Sequence, residues 1–530
     1  MYDLLIRNGT LVDGSGGPAV QLDVAVVGDS IVRIGKLGQE QAHETIDAEH
    51  LVVAPGFVDV HSHSELRLLA PPVPEEKIRQ GITTEICGQD GISVAPMTSE
   101  HETTWKAMLS GLLGEYYSDW RWGSVLEYMR FLEGRGLPLN VSYLVPHGPL
   151  RTAVMGMQNR DATVDEVSAM AELMREAMDE GSVGLSTGLV YPPCSYADEQ
   201  ELVLLCSIAA EKQRPLVVHM RDQGPRLIES AYECVDICRK AGCALHISHV
   251  KARGKQSWHK VSELLELLNT ASDSLEITGD QYPYTAGCTT LTAALPGWVL
   301  EGGARECLRR LEDTSLRKEI HRWYTSPPQQ WENRAAAVGW QNIVISSVKT
   351  QKNKFAESLS VEEYAKQVDK HPVDAVCDLL YEEQLAATMI NFHGTEDTVK
   401  QIMCEPWIMI ASDGVYGGRP HPRLYGTFPR VLGKYVREQE CIELTEAIRK
   451  MTSAPCDTFG LKRRGLIREG YYADIVAFDP QLITDKATFS RPCAYPEGVL
   501  TVVVNGVPVI RDAEYTNTLP GRALLWNQEC

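Results

Sequence analysis

Short apolar runs alternate with longer amphipathic stretches along most of the chain. Residues 52–60 are apolar and β-branched except at Pro55-Gly56 and Asp59, which predicts a buried strand with a bend near its start. Residues 164–180 have the hydrophobic spacing of an amphipathic helix. Further apolar runs predict strands at residues 84–88, 140–145, 184–189, 215–219, 244–249, 277–282 and 407–413. This alternation of strands and helices predicts an α/β fold.

The two ends of the chain have a different pattern. Residues 1–54 and 466–530 contain strand-and-turn pieces, and each segment is too small to bury a core of its own. We predict that together they form one β-sandwich domain. The intervening residues 55–465 are predicted to form a (β/α)8 TIM-type barrel, with an insertion at about 293–345, where the chain is more polar and the strand–helix alternation stops.

Five polar side chains stand where apolar runs stop: His61, His63, His219, His249 and Asp413. His61 and His63 are two residues apart, so on a strand both imidazoles point the same way. In a barrel, the carboxyl ends of all strands surround one opening. A single strand-end histidine is more typical of a hydrogen-bonded core residue, but this set predicts a nitrogen- and oxygen-rich site suited to Zn²⁺.

Composition narrows the function classes. The formal net charge is −20, from 51 basic and 71 acidic residues, and no basic run occurs, which argues against nucleic acid or anionic membrane as a partner. We see no signal peptide and no run of about 18 apolar residues. The 14 cysteines are scattered singly, as is typical of reduced thiols, so we expect a cytoplasmic protein.

Several longer motifs resemble those of the N-acyl-D-amino-acid deacylase (D-aminoacylase) family of the amidohydrolase superfamily. The resemblance covers nearly the whole chain. The motifs that carry it are Pro-Gly-Phe-Val-Asp-Val-His-Ser-His at 55–63, Gln-Gly-Ile-Thr-Thr at 80–84, Gly-Leu-Ser-Thr-Gly-Leu-Val-Tyr-Pro-Pro at 184–193, His-Met-Arg-Asp at 219–222, Tyr-Pro-Tyr-Thr-Ala at 282–286 and His-Pro-Arg-Leu-Tyr-Gly-Thr-Phe-Pro-Arg at 421–430.

The resemblance implies one tight zinc site and a second, weaker metal position. His219 and His249 would hold the tight zinc, together with a bridging ligand from the second strand. His61, His63 and Asp413 would surround the weaker position, and Asp413 would also act as the catalytic acid and base.

The bridging ligand departs from the family pattern. Family members usually have Gly-Asn-Cys-Gly after the Thr-Thr strand, whereas this chain has Gly-Gln-Asp-Gly at 88–91, so Asp90 stands at the cysteine position. A carboxylate also bridges two metals, but it makes the site harder and richer in oxygen. Cys87 is an alternative thiolate ligand, although its place in the predicted strand favours a buried structural residue.

Amide hydrolysis needs an activated water and a proton for the leaving amine. Bound Zn²⁺ lowers the pKa of its water from about 15.7 toward 7, which supplies a metal-bound hydroxide. Asp413 would take the proton and return it to the amine nitrogen, and the Tyr191 hydroxyl would help stabilise the oxyanion. Lys251, Tyr282 and Arg423 are the predicted partners of a substrate carboxylate, with Arg423 expected in a loop that follows the strand ending at Asp413.

The predicted function is therefore zinc-dependent deacylation of small N-acyl-D-amino acids, with the D preference implied by the resemblance alone. The main alternative is a cyclic-amide hydrolase of the dihydroorotase or hydantoinase type. No lysine occurs at residues 184–191 to supply the carboxylated bridge of many superfamily members, which argues against this alternative. A non-catalytic scaffold is the second alternative. The pattern predicts neither the preferred side chain and acyl group nor the oligomeric state.

Overall fold

The computed structural model describes residues 1–114, 117, 119–328 and 331–526. Its strands, in chain order, are β1 (Tyr2–Arg7), β2 (Thr10–Leu11), β3 (Val20–Gln21), β4 (Asp23–Val27), β5 (Ser30–Gly35), β6 (Ala42–Asp47), β7 (Val52–Pro55), β8 (Phe57–Asp59), β9 (Ile82–Cys87), β10 (Asn140–Tyr143), β11 (Val145–Pro146), β12 (Leu185–Gly188), β13 (Leu216–His219), β14 (Leu245–Ile247), β15 (Ile277–Gln281), β16 (Ala286–Thr290), β17 (Ile343–Ser347), β18 (Thr388–Phe392), β19 (Ile408–Ile410), β20 (Ile475–Phe478), β21 (Val499–Val504), β22 (Val507–Arg511) and β23 (Glu514–Tyr515).

The α-helices, in chain order, are α1 (Glu75–Ile78), α2 (Glu102–Leu113), α3 (Val125–Arg135), α4 (His147–Met155), α5 (Val164–Asp179), α6 (Glu199–Glu211), α7 (Leu227–Ala241), α8 (Val261–Ala271), α9 (Ala304–Glu312), α10 (Thr314–Thr325), α11 (Arg334–Val338), α12 (Val361–Gln367), α13 (Pro372–Glu382), α14 (Glu396–Met403), α15 (Arg423–Arg430), α16 (Leu444–Met451) and α17 (Ser453–Thr458). A π-helical segment, Val431–Glu438, follows α15. No helix among the described residues is long and apolar enough to cross a bilayer.

Parallel strands form the central part of the molecule. One sheet has the order β10-β9-β8 and a second has the order β11-β12-β13-β14-β15-β19. β10 and β11 are separated by one residue, so the two sheets follow each other along the chain. At the other edge, the Asp413 amide donates to the His61 carbonyl at 2.9 Å, and Ser62 and Gly414 form a parallel bridge. The end of β19 therefore lies beside the end of β8.

Helices connect successive parallel strands, as the alternating pattern predicts. Helix α5 begins where the hydrophobic spacing predicts, because the Thr163 hydroxyl accepts from the Glu166 amide and the Glu166 carboxylate accepts from the Thr163 amide. Helices α5, α6, α7 and α8 pack side by side. Their apolar faces join the largest hydrophobic core, in which Met174, Leu205 and Leu264 are fully buried. This arrangement establishes the predicted α/β class.

Both ends of the chain contribute to a pair of β-sheets. One sheet has the order β5-β4-β1-β6, and the other has the order β23-β22-β21-β20-β7-β2-β3. N-terminal β7 thus pairs with C-terminal β20, with Ala54 opposite Val476. Leu4 and Val26 of the first sheet and Ile475 of the second belong to one buried core. The last four residues of the predicted sandwich segment, 527–530, lie outside the described residues.

A long excursion separates β15 from β19. It contains the antiparallel sheet β16-β18-β17 and helices α9–α13 around a core of their own, which extends from Leu291 to Met389. The predicted insertion at 293–345 lies inside this excursion, and residues 329 and 330 of it lie outside the described part. The excursion is longer than the predicted insertion. In its second half, helices α12 and α13 follow strand β17, and this order resembles the strand–helix alternation of the barrel segment.

Gly56 lies between β7 and β8, where one continuous apolar run passes from the sandwich to the parallel strands. Its amide donates to the Asp474 carbonyl at 2.8 Å. A Cβ atom at this position would lie 2.2 Å from the Thr83 side chain. The close approach of Thr83 therefore requires glycine at the point where the chain bends toward the site.

Candidate metal centre

The six predicted metal ligands converge on one buried point beyond the carboxyl ends of the parallel strands. His61 and His63 follow β8, His219 ends β13, and His249 follows β14. All six side chains are buried: His61, His63, Asp90, His219, His249 and Asp413. Strand ends that are distant in sequence thus bring their side chains to one place, as the parallel arrangement predicts.

Asp90 lies at the centre of the cluster. Its Oδ1 atom is 3.6 Å from His219 Nδ1 and 3.6 Å from His249 Nε2. The same oxygen is 3.8 Å from His61 Nε2, while Oδ2 is 3.9 Å from His63 Nε2. The Asp90 carboxylate therefore faces both pairs of histidines, the pair predicted for the tight metal site and the pair predicted for the weaker one.

Asp413 faces the other side of His61 and His63. Its Oδ1 atom is 3.4 Å from His63 Nε2 and 3.8 Å from His61 Nε2. Its Oδ2 atom is 2.9 Å from Arg423 Nη1. One oxygen of Asp413 is thus directed to the imidazoles and the other to a buried guanidinium.

These spacings suit a metal ion. Zn²⁺ bonds of about 2.0–2.2 Å in a tetrahedral arrangement separate neighbouring ligand atoms by roughly 3.3–3.6 Å. Both ring nitrogens of His219 and the Oδ1 atom of Asp90 are buried and form no hydrogen bond with any described residue. Buried polar atoms are normally hydrogen-bonded, so these atoms lack the partner that a cation would supply. The residues present therefore fit a metal.

The protonation states of two of the histidines agree with this conclusion. Burial lowers the pKa of His219 to about 4, and burial together with the Lys251 ammonium lowers the pKa of His249 to about 3. Both imidazoles are neutral at pH 7, which is the form that binds metal. Burial also disfavours charged His61, but the Asp413 and Asp280 carboxylates raise its pKa to about 9. The carboxylates thus favour a positive charge beside His61, and a bound cation would supply it in place of the proton.

Three of the predicted ligands adopt a left-handed backbone conformation. The φ angles are 57° at Asp90, 36° at His249 and 48° at Asp413. Such angles are uncommon for residues other than glycine and concentrate at functional sites. The Asp90 loop is also pressed against β12, where a Cβ atom on Gly188 would lie 2.4 Å from the Asp90 carbonyl oxygen.

A buried network of charged and hydroxyl groups supports the backbone segments of two predicted ligands, His61 and Asp413. Asp59 Oδ1 accepts from the Ser412 amide at 2.8 Å, next to Asp413 in sequence. Lys77 donates to Asp59 Oδ2, to Ser62 Oγ at 3.1 Å and to Ser412 Oγ at 2.7 Å. The network links the segments that carry His61 and Asp413.

Asp280, at the end of β15, supports the histidines from another side. Its Oδ1 atom accepts from the His249 amide at 2.8 Å, and its Oδ2 atom is 3.5 Å from His61 Nδ1. Asp413 was predicted from its position at the end of a strand, and Asp280 has the same kind of position. The sequence analysis nevertheless assigned no role to Asp280. Such a partner fixes the orientation of an imidazole ligand.

The predicted substrate-binding residues line one small cavity together with all of the predicted ligands except His61, and we call it the site cavity. The Tyr191 hydroxyl lies 3.0 Å from Thr289 Oγ1. The Lys251 Nζ atom donates to the His249 carbonyl at 2.6 Å, and burial lowers the pKa of this amine well below its ordinary value. The Tyr282 hydroxyl is 3.2 Å from His393 Nε2. All four predicted residues are brought together with the ligands: Tyr191, Lys251, Tyr282 and Arg423.

Arg423 is held by three contacts. Besides Asp413, it donates from Nη2 to the Cys288 carbonyl at 3.0 Å, and its guanidinium lies 4.5 Å from the centre of the Tyr282 ring. It is the first residue of helix α15, directly after Pro422, and does not lie in the preceding loop, where we expected it. The expected loop position was therefore wrong by one residue.

Sequence reasoning missed two further cations in the site cavity, Arg253 and Arg334. Arg253 pairs with Glu332 at 2.8 Å, and Arg334 Nε is 3.5 Å from the same carboxylate. Glu332 and Arg334 come from the excursion, more than 70 residues from any predicted ligand in sequence. No periodic pattern marks them, so the sequence offered no signal for their position.

Cys87 does not join the ligand cluster. It is the last residue of β9, is fully buried, and its sulfur lies 3.5 Å from Ser64 Oγ. Burial raises the pKa of this thiol well above its ordinary value. The geometry therefore favours the structural interpretation over a displaced thiolate ligand.

Comparison with known proteins agrees with the site. A model of the amidohydrolase family matches residues 44–510. A D-aminoacylase from Alcaligenes xylosoxydans xylosoxydans is 34% identical over 524 residues, which cover 99% of this chain and 97% of that protein. The chain belongs to the D-aminoacylase branch of the amidohydrolase family. The resemblance carried by the sequence motifs, and the prediction of an amidohydrolase enzyme, are thereby confirmed.

Solved structures extend the likeness of this amidohydrolase to three dimensions. The N-acyl-D-glutamate deacylase of Bordetella bronchiseptica, in complex with zinc and a phosphonate mimic of the tetrahedral intermediate, is 32% identical and superposes with a TM-score of 0.85 over 99% of each chain. A D-aminoacylase described for its binuclear metal centre is 33% identical, with a TM-score of 0.84 over 99% of this chain and 100% of that one.

Proposed function

We propose that the protein hydrolyses the amide bond of N-acyl-D-amino acids and releases a carboxylate and a free D-amino acid. The observation that carries this proposal is the cluster of buried imidazoles and carboxylates beside Arg423. The relatives named above, a D-aminoacylase and an N-acyl-D-glutamate deacylase, support it. The preference for the D enantiomer rests on those relatives.

Zinc is the proposed metal, as in the structure of the N-acyl-D-glutamate deacylase. His219, His249 and Asp90 would hold the tight ion. His61, His63 and Asp413 would surround the second, weaker position. Asp90 would serve both positions, since its two oxygens face different histidines. A carboxylate makes this site harder than a thiolate would, so we expect it also to accept Mn²⁺.

When bound, zinc lowers the pKa of a water and polarises the amide carbonyl. Asp413 then accepts a proton at its carboxylate and returns it to the leaving amine nitrogen. Arg423, 2.9 Å from Asp413 Oδ2, fixes the orientation of that carboxylate. Tyr191 donates from its hydroxyl to the developing oxyanion, since burial keeps its pKa at about 12 and the proton stays in place.

The substrate carboxylate would bind beside Arg423, Tyr282 and Lys251. The Nε atom of Arg423 is buried and forms no hydrogen bond with a described residue, so it is available as a donor. A planar guanidinium is well suited to a carboxylate. This placement sets the amide of the substrate between the carboxylate partners and the imidazole cluster.

The closure of the barrel, the domain bounds, the cellular location and the partners of the protein are also proposals. We propose that the parallel strands close into a (β/α)8 barrel in which β10 and β11, one residue apart, count as a single strand, supported by the bridge between Ser62 and Gly414. We propose the domains 1–54 with 466–530 and 55–465 for the sandwich and the barrel. A cytoplasmic location is supported by the described cysteines, all of which are free thiols. We propose no nucleic-acid or membrane partner, given the net charge of −20.

Metal analysis combined with a deacylation screen tests the function. The purified protein is incubated with N-acetyl derivatives of D- and L-Met, Leu, Phe, Glu and Asp, and amine release is measured. We expect bound zinc and D-selective turnover. Asp413→Asn should keep zinc at the tight site and lose about 10²–10⁴-fold in kcat. Bound metal without turnover on any of these substrates would contradict the proposal and direct the search to cyclic amides.

A further inference from the structure

A second and larger cavity adjoins the site cavity at Tyr191, which lines both. Its volume is about 210 Å³, against about 30 Å³ for the site cavity. We call it the aromatic chamber, and its wall includes Leu189, Pro192, Tyr196, Leu295, Trp298 and Trp323. The barrel segment after β12 supplies one wall of the aromatic chamber and the excursion supplies the other.

The wall of the aromatic chamber is suited to an apolar group. The rings of Trp298 and Trp323 lie 6.3 Å apart at 54°, and the hydroxyl of Tyr196 is used in a 2.7 Å bond to the Gly297 carbonyl. Large aromatic side chains provide apolar contact area of this kind. A ligand in the aromatic chamber would therefore gain affinity by burying hydrocarbon.

The charged groups at the edge of the aromatic chamber already have partners. Arg221 donates to the Glu233 carboxylate at 3.0 Å and to the Ser195 carbonyl at 2.9 Å. Glu332 pairs with Arg253 at 2.8 Å. Since both charges are neutralised by the protein, the described residues that line the aromatic chamber offer no free charge that would select an acidic substituent.

The position of the aromatic chamber indicates which part of the substrate faces it. The proposed partners of the substrate carboxylate, Arg423, Tyr282 and Lys251, line the site cavity and not the aromatic chamber. Tyr191, the proposed partner of the oxyanion, lines both. With the carboxylate at Arg423 and the carbonyl at Tyr191, the substituent beyond the carbonyl points to the aromatic chamber.

We propose that the aromatic chamber binds the acyl group of the substrate, and that the enzyme prefers long-chain or aromatic acyl groups to acetyl. This inference rests on the proposed function and adds to it the class of acyl donor. Each methylene moved from water into an apolar wall contributes roughly three- to fourfold in specificity. The preference should therefore increase with chain length until the aromatic chamber is full.

Two substrate series separate the acyl group from the amino-acid side chain. The first holds D-alanine constant and extends the acyl group from acetyl to butanoyl, hexanoyl, octanoyl and phenylacetyl. The second holds acetyl constant and varies the side chain among D-Ala, D-Leu, D-Phe and D-Trp. For the zinc-loaded wild type we expect kcat/KM on N-octanoyl-D-alanine to exceed that on N-acetyl-D-alanine by roughly tenfold or more.

Two variants act on the aromatic chamber in opposite ways. Trp298→Ala removes part of its wall, and Leu295→Trp fills it; both should reduce the octanoyl-to-acetyl ratio of kcat/KM toward one. Trp407→Ala is the matched control, because the Trp407 indole hydrogen-bonds Asn269 at 2.8 Å outside both cavities. It should keep the wild-type ratio. If Trp298→Ala does not fold, Leu295→Trp alone tests the proposal.

The outcomes distinguish the two levels of inference. Turnover of N-acetyl-D-amino acids with no gain from longer acyl groups would overturn the acyl assignment and leave the proposed function intact. A gain along the side-chain series that Leu295→Trp abolishes would also overturn it and assign the aromatic chamber to the side chain. The absence of turnover on every substrate would overturn both.

Discussion

Lys77 joins the two segments that carry His61 and Asp413, and its removal tests whether this buried network holds the metal centre together. Its ammonium contacts Asp59, Ser62 and Ser412, and Glu85 Oε1 lies 3.8 Å away. Burial lowers the pKa of Lys77, but the Asp59 and Glu85 carboxylates outweigh this effect and raise it. The side chain is therefore charged in a fully buried position.

The substitution Lys77→Met keeps the aliphatic stem and removes the charge. Asp59 and Glu85 then stay buried without a counter-charge, and breaking a buried ion pair from one side costs about 3–5 kcal/mol. An unfolding entropy of about 2.1 cal/mol/K per residue gives roughly 1.1 kcal/mol/K for a chain of 530 residues that unfolds as one unit. The expected decrease in Tm is therefore about 3–5 °C.

Scanning calorimetry of the metal-loaded protein at one scan rate measures this decrease. The double variant Asp59→Asn/Lys77→Met should lose about 1–3 kcal/mol less than the sum of the single variants, because the two groups interact directly. Deacylation kinetics should also show a reduced kcat. Ser412 directly precedes Asp413, and without the hydrogen bond that Lys77 donates to it, the Asp413 carboxylate is held less firmly.

Lys450→Met is the control for loss of a buried ammonium elsewhere. Lys450 donates to the carbonyls of Glu405 and Ile408, outside the site cavity, so its removal should leave kcat unchanged. A Tm for Lys77→Met within 1 °C of the wild type, or additive effects in the double variant, would refute the argued role of the network.

Three further predictions test other parts of the site. Arg423→Met should raise KM for N-acyl amino acids more than for amides without a carboxylate. Arg430→Met, on the same helix, is the control and should not change KM selectively for either substrate type. Equal effects of Arg423→Met on both substrate types would contradict the carboxylate role. Asp90→Cys should shift metal content toward Zn²⁺ after dialysis against equal Zn²⁺ and Mn²⁺; an unchanged ratio by mass spectrometry would exclude Asp90 as a ligand. Burial and the Glu332 carboxylate raise the pKa of Asp222 to about 6, so protons bind the folded state more tightly and stability falls as pH rises from about 4 to 6. Asp222→Asn should remove this fall, as measured by Tm between pH 4 and 8, and a wild-type slope in the variant would contradict it.

The convergence of the predicted metal ligands could be anticipated from the sequence because it follows from a local rule. A side chain at the end of a parallel strand points to the same edge of the sheet as its neighbours, so His219 and Asp413 meet although 194 residues separate them. The strand run at 52–60 and the helix at 164–180 follow from hydrophobic period in the same way. The roles of the individual residues stay predictions until the variants are measured.

Other parts of the site depend on packing that no local pattern records. The left-handed conformation of Asp90 occurs in a loop that packs closely against β12, and an aspartate in sequence carries no sign of it. Arg334 reaches the site cavity because the excursion folds around its own core and returns over the strand ends. The predicted insertion is shorter than the excursion because the later helices of the excursion have the same amphipathic spacing as barrel helices.

The bend at Gly56 has a consequence for the order in which the protein is completed on the ribosome. The strand that leads to His61 and His63 begins in the sandwich as β7, whose C-terminal neighbour β20 starts at Ile475. Synthesis of the roughly 420 intervening residues takes about 20–80 s at 5–20 residues per second. Throughout that interval β7, which leads through Gly56 to β8 and the predicted ligands His61 and His63, has one edge still unpaired. Protection of that edge by a chaperone, or delayed metal uptake, would therefore matter more during synthesis than afterwards.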